Sequence, residues 1–274
     1  MESLLNHPAV QGGVLPFAAG LIVAGVLHRL RLGGLAVVAA FATAVYFVDG
    51  FAFAPLTATR KIVLLGLAAP LVGLLADFAF KPTRIGALVL GLAGAACAVW
   101  AIWSVVSQKT AAEAFLLAGS AALALAFMVG FGQLLLAEQP VRAGAAALAA
   151  GVGVGVAAII AGSAKFGMYG IATGAGAGAF LLLQMITGRK TEAGATFTLP
   201  AMLIAGLLAV GTMVLAKLPW YALLVLALTP AAARLPVPDK APLWLQAVLL
   251  SLYAFIVAAV ACFLSWPSAN EPLG

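Results

Sequence analysis

Ten apolar runs, most of them close to the length of a bilayer span, follow one another with only short polar breaks, and that succession leaves few folds open. In hydrocarbon every backbone N–H and C=O needs an internal partner, so a run of this kind crosses the membrane as an α-helix. The expected fold is an all-α, polytopic integral membrane helix bundle of about ten transmembrane helices with short loops. It forms a single transmembrane domain over residues 1–274. Composition agrees: 65% of the residues are hydrophobic and 8% are charged, too few charges to cover a soluble domain of this size.

The runs read Gly12–Leu27, Gly33–Phe53, a third from Arg60 to near Phe80, Ile85–Val106 and Ala114–Ala137. Then come Ala143–Gly162, Phe166–Thr187, Phe197–Ala216, Trp220–Ala233 and Leu243–Trp266. The first and ninth are the shortest for a hydrocarbon layer of about 30 Å at about 1.5 Å per residue. The N-terminus carries no Lys or Arg, which speaks against a cleaved signal peptide.

Loop charges set the expected orientation. With the N-terminus outside, the inner loops hold Arg29, Arg31, Lys81, Arg84, Arg142, Arg189, Lys190, Arg234 and Lys240. The outer loops hold Arg60, Lys61, Lys109, Lys165 and Lys217. This excess places both termini outside. The Ala-, Gly- and Leu-rich composition with short loops points to a bacterial inner membrane, both termini being periplasmic.

The sixth and seventh runs form a hairpin turning at Ser163-Ala164-Lys165. Gly151 and Gly155 on one run, and Gly170, Gly174 and Gly178 on the next, recur every four residues, so each set shares a helix face on which backbones can approach. This hairpin is the expected packing centre. Gly174-Ala175-Gly176-Ala177-Gly178 superficially resembles a dinucleotide fingerprint, but no strand precedes it, and close helix packing explains it better.

Among ionisable residues, Asp77 and Lys81, and likewise Lys109 and Glu113, stand four apart as candidate helical pairs at span ends. Glu138 and Arg142 flank Pro140 and mark a turn. Asp49 and Lys165 differ. Each sits where an apolar run meets the outer side, and neither has an opposite charge three or four residues away, so the two are expected to pair with each other. Arg60, from the same outer loop, is the next candidate partner for Asp49. Of the uncharged polar groups, Gln133, Gln184 and Gln246 fall toward the inner ends of their spans, with Thr43, Ser120 and Thr173 deeper. They are candidates for interhelical hydrogen bonds or for the lining of a small-molecule site.

Functional classes follow by elimination. There is no G-x-S-x-G, H-E-x-x-H, Walker loop or C-x-x-C, only two histidines occur, and Cys97 and Cys262 lie inside apolar runs. No enzyme, cofactor or metal site is expected. The net charge of +6 is spread one or two residues per loop, so nucleic acid is not expected as a partner. The expected partners are the lipid bilayer and, for a complex, other membrane subunits or further copies of the chain.

In length and number of spans the chain resembles drug/metabolite-type exporters. Its halves, 1–137 and 138–274, do not align on each other, and its charge bias opposes the cytoplasmic termini of that group, so no residue is carried over. A looser likeness joins Leu35–Phe78 to Tyr221–Phe263, each reading span, proline-containing loop, basic residue, span. Three expectations remain. The first is a transporter-like protein binding or moving a small or amphipathic molecule in a cavity between helices. The second is a non-catalytic subunit of a larger membrane complex, and the third is a lipid-modifying or lipid-handling enzyme.

Overall fold

The computed structural model describes residues 7–30, 32–79, 83–238 and 240–269. Its fold is an all-α bundle of ten helices, as the apolar runs require. They are α1 (Val10–Leu30), α2 (Gly33–Val48), α3 (Ala58–Ala79), α4 (Arg84–Val106), α5 (Ala111–Phe131), α6 (Pro140–Ile160), α7 (Ala164–Thr187), α8 (Gly194–Leu215), α9 (Trp220–Ala232) and α10 (Leu243–Ala269). Eight are long and apolar enough to cross a membrane; α2 and α9 are the shorter two, of 10–17 residues.

Two boundaries differ from the sequence reading. The first run is not short: a π-helical turn over Val10–Val14 takes in Gln11 at its start, and a 3₁₀ turn over His28–Leu30 extends its end, giving a helix of 21 residues. The second run stops early, because Asp49 caps α2 and the chain then leaves the helix. The likeness between Leu35–Phe78 and Tyr221–Phe263 thus corresponds to two copies of one local pattern, a short helix followed by a long one.

Successive helices alternate in direction. Phe180 of α7 stacks on Phe197 at the start of α8, at 4.3 Å between ring centroids, and Gly34 at the start of α2 lies against the same phenylalanine. At the other face Gly12 of α1 meets Met168 near the start of α7. These two ends are called here the Asp77 face and the Asp49 face. The α2–α3 and α6–α7 loops share the Asp49 face. The α5–α6 and α7–α8 loops meet at the Asp77 face, where Gly194 N–H donates to Ala137 C=O at 3.1 Å.

The hairpin α6–α7 packs as its glycines predict, with one correction. A Cβ on Gly170 would stand 2.6 Å from Gly155 Cα, one on Gly155 would stand 2.7 Å from Ile171 N, and one on Gly151 would run into the Gly174 backbone. A Cβ on Gly174 would lie 2.8 Å from Val152 N. These four glycines hold the helices at backbone contact, which lets dispersion act where no hydrophobic force separates helix from lipid. Gly178 does not belong with them: a Cβ there meets only the end of Leu148 at 3.4 Å, ordinary contact. Gly176, on another side of α7, admits α2, with a Cβ position 2.8 Å from Val37 Cα.

The helix enclosed on all sides is α8, not the hairpin. Every residue from Ala195 to Met213 is buried, and α3 to α7 and α9 pack around it. Gly66 of α3 meets Ile204 and Gly73 meets Ala195 and Thr196, so α3 and α8 run antiparallel in close contact. Each has an internal proline, Pro70 and Pro200. The two glycine contacts bracket both prolines and place them at the same depth.

Candidate functional site

At the Asp49 face, α2 ends on Asp49 and α7 begins at Ala164. A carboxylate at a helix C-terminus and an ammonium at a helix N-terminus each oppose the local end of the macrodipole. Each therefore gains from the other, and the structure brings them together: Lys165 Nζ stands 2.7 Å from Asp49 Oδ2. The side chains are 43% and 32% exposed, so the pair sits at a wet mouth, not in a dry core. Tyr169, one turn further along α7 and on the same face as Lys165, donates its hydroxyl to the same Oδ2 at 2.8 Å. Its ring is buried edge-on against Phe41 at 5.7 Å, which fixes the hydroxyl from below. The sequence reading did not single out Tyr169, although its spacing of four from Lys165 carried the signal.

Arg60 does not pair with Asp49. It stands in the first turn of α3 and donates Nη1–H to Pro55 C=O at 2.9 Å. It still shares a cavity with the pair. That cavity, of about 340 Å³, is lined by Val45, Asp49, Phe53, Thr57, Thr59, Arg60, Val63 and Lys165 among others. Two cations, one anion and the starts of α3 and α7 border it, a balance suited to a small polar or anionic solute. Beside it, Lys61 Nζ donates to Trp100 C=O at 3.2 Å and lies 4.8 Å from the Trp100 ring centroid, tying α3 to α4 at this face.

The expected coupling between Asp49 and Lys165 is about 0.5–1 kcal/mol, the range for a partly exposed pair. Each single change, Asp49→Asn or Lys165→Gln, also removes a charge from the wrong end of a helix, which offsets part of the loss, while Asp49→Asn weakens the Tyr169 hydrogen bond as well. Thermal melts of both single variants and the double variant in detergent measure it. Strictly additive shifts would show that the contact contributes nothing.

At the Asp77 face a second cavity, of about 700 Å³, opens between the end of α3, the start of α4 and the α5–α6 and α7–α8 loops. Lys81, the helical partner expected for Asp77, lies outside the described residues. The Asp77 carboxylate accepts from the first turn of α8: Ala195 N–H and Thr196 N–H at 2.7 Å each, and the Thr196 hydroxyl at 2.6 Å. Lys109 and Glu113 make no pair. Thr110 caps α5 by accepting from Glu113 N–H, leaving Lys109 in the preceding turn where helical spacing does not hold. Arg142 reaches across to the end of α9 and donates to the carbonyls of Ala233 and Leu235 at 2.6 and 2.8 Å.

The three glutamines do not gather into one site. Gln133, presented by a π-helical turn over Gly132–Leu136, lines the second cavity and donates to the Thr198 hydroxyl at 2.8 Å. Gln246 donates to Ala241 C=O at 2.8 Å, within its own chain segment. Gln184 is fully buried, and neither its amide nitrogen nor its oxygen has a partner among the described residues. Thr43 and Thr173 hydroxyls bond back to carbonyls of their own helices, whereas Ser120, besides its bond to Leu117 C=O, donates across to Met213 Sδ of α8 at 3.5 Å. Among the described residues there is no group of three or more His, Cys, Asp or Glu that could hold a metal ion.

Ten alternating helices among the described residues, eight of them long and apolar enough to cross a membrane, define a multi-pass membrane protein. No protein-family model matches the chain, and no curated protein matches it.

Proposed function

We propose that this chain is a transporter-like, non-catalytic protein of the cell membrane that binds a small polar or amphipathic molecule and moves it along α3. One observation carries the reading: α3 walls both cavities, Thr59, Arg60 and Val63 at the Asp49 face and Val72, Leu75 and Ala76 at the Asp77 face. Between them Pro70 of α3 and Pro200 of α8 stand at one level of a close antiparallel pair. A proline frees the carbonyl four residues before it and bends the helix there. Two such breaks side by side make a hinge on which one cavity can widen as the other narrows. The Asp49–Lys165 pair is the latch at one mouth. On the loop-charge bias the Asp49 face is the outer one, in a bacterial inner membrane.

Single cysteines at Val63 and Ala76 test this with a membrane-impermeant maleimide, applied to right-side-out and inverted vesicles. Val63→Cys should label from outside and Ala76→Cys from inside. Added solute that is transported should shift the two rates in opposite directions, and Pro70→Ala should abolish the shift. Rates insensitive to both solute and Pro70→Ala would sink the transport reading and favour a structural subunit of a membrane complex. Reversed sidedness would overturn the orientation alone.

A further inference from the structure

The 700 Å³ cavity at the Asp77 face falls within the roughly 300–1,000 Å³ typical of small-molecule sites. Its lining is segregated by chemistry. Val72 and Leu75 of α3 and Val89 and Leu90 of α4 form an apolar wall. Val72, Leu75 and Val89 are 45%, 61% and 58% exposed on the flank of the bundle. On helices that cross the bilayer such a flank meets hydrocarbon, so this wall opens sideways to lipid.

Four charged residues border the polar end, Asp77, Glu138, Glu192 and Lys190; of these, Glu138 lies before α6 and Lys190 after α7. Both are exposed, and neither makes an ion pair or hydrogen bond among the described residues. The neighbouring acids are engaged otherwise: Asp77 by the start of α8, and Glu192 by a partner of its own.

We propose that this cavity is a lateral site for a zwitterionic membrane lipid. One acyl chain lies between α3 and α4, and a headgroup bearing an ammonium and a phosphate sits between Glu138 and Lys190. An apolar slot open to the bilayer selects a membrane-dissolved amphiphile over a water-soluble one. Glu138 and Lys190, the two charges at its end without a partner among the described residues, select a head with both signs: its ammonium meets Glu138 and its phosphate meets Lys190, whereas a head of one sign can meet only one of them. The inference stands on this lining and does not need the transport reading.

The test uses the full chain purified in maltoside detergent and three photoreactive lipids with the same diazirine-tagged tail. Their heads are zwitterionic phosphoethanolamine, anionic phosphoglycerol and cationic trimethylammonium. Peptide mapping should find the zwitterionic probe on residues 72–76 and 86–90, at about three- to five-fold the yield of the other two, the scale of one exposed charge contact. Glu138→Lys should transfer the preference to the anionic head and Lys190→Glu to the cationic one; both positions are exposed, so folding is retained. Equal yields for the three heads, preferences that neither variant moves, or labelling spread over the whole lipid-facing surface would each overturn the proposal. If the cysteine rates prove static while these preferences hold, the lipid site stands and only transport falls.

Discussion

Among the three glycines of the α7 face, Gly170→Leu is expected to give the largest loss of thermal stability, Gly174→Leu the next, and Gly178→Leu almost none. The order follows from what stands opposite each missing Cβ. At Gly170 it is backbone, Gly155 Cα at 2.6 Å and Gly151 O at 3.0 Å, and backbone cannot swing aside. At Gly174 the first obstacle is the Val152 side chain at 2.6 Å, with Val152 N behind it at 2.8 Å, so part of the strain is relieved by a rotamer change. At Gly178 the end of Leu148, at 3.4 Å, yields freely. Overpacking costs about 1–3 kcal/mol where a core adjusts. Gly174→Leu belongs in that range and Gly170→Leu at or above its top, because parting the helices also forfeits the close contact along their length. Melting curves in detergent give the order directly. Equal losses at 170 and 178, or none at 170, would show that the glycine face is not what holds the hairpin.

How much of this was legible in the chain depended on the kind of signal. Helix number and alternation were, because apolar run length reports crossings whatever the tertiary contacts. The centrality of α8 was not. Hydrocarbon and protein interior are equally apolar, so a span enclosed by helices and a span facing lipid look alike in hydropathy. The small and hydroxylated residues of α8, Thr196, Thr198, Gly206, Gly211 and Thr212, were the available hint. The Asp49–Lys165 contact could be reached by asking which charges lacked a local partner, since lone charge at partial depth is costly. That same local rule did not reach the contact of Asp77 with a helix end 118 residues away. Gln184 was expected to glue helices or line a site, and among the described residues its buried amide makes no interhelical hydrogen bond.

Asp77→Ala is expected to destabilise the bundle by about 1–3 kcal/mol, the cost of leaving buried donors without an acceptor. The central helix α8 has no cap of its own: Ala193 occupies the position before it, where Ser, Thr, Asp or Asn would normally accept from the first N–H groups. Asp77 supplies that acceptor from α3, and its negative charge meets the positive end of the dipole of α8. Ala195 and Thr196 are 5% and 1% exposed, so bulk water does not replace the carboxylate freely, although the neighbouring cavity admits some and keeps the loss below that of a sealed core. Asp77→Asn, which keeps one acceptor oxygen, should fall between. Gly194 gives a second handle on the same cap. Its φ of +59° suits glycine, and a Cβ there would run into the Asp77 carboxylate. Gly194→Ala should therefore displace Asp77 and reproduce most of the effect of Asp77→Ala, and the double variant should melt only slightly below the worse single one. Losses that add in full would separate the strain at Gly194 from the cap. An Asp77→Ala protein that melts with the parent would remove the cap from the account of how α8 is held.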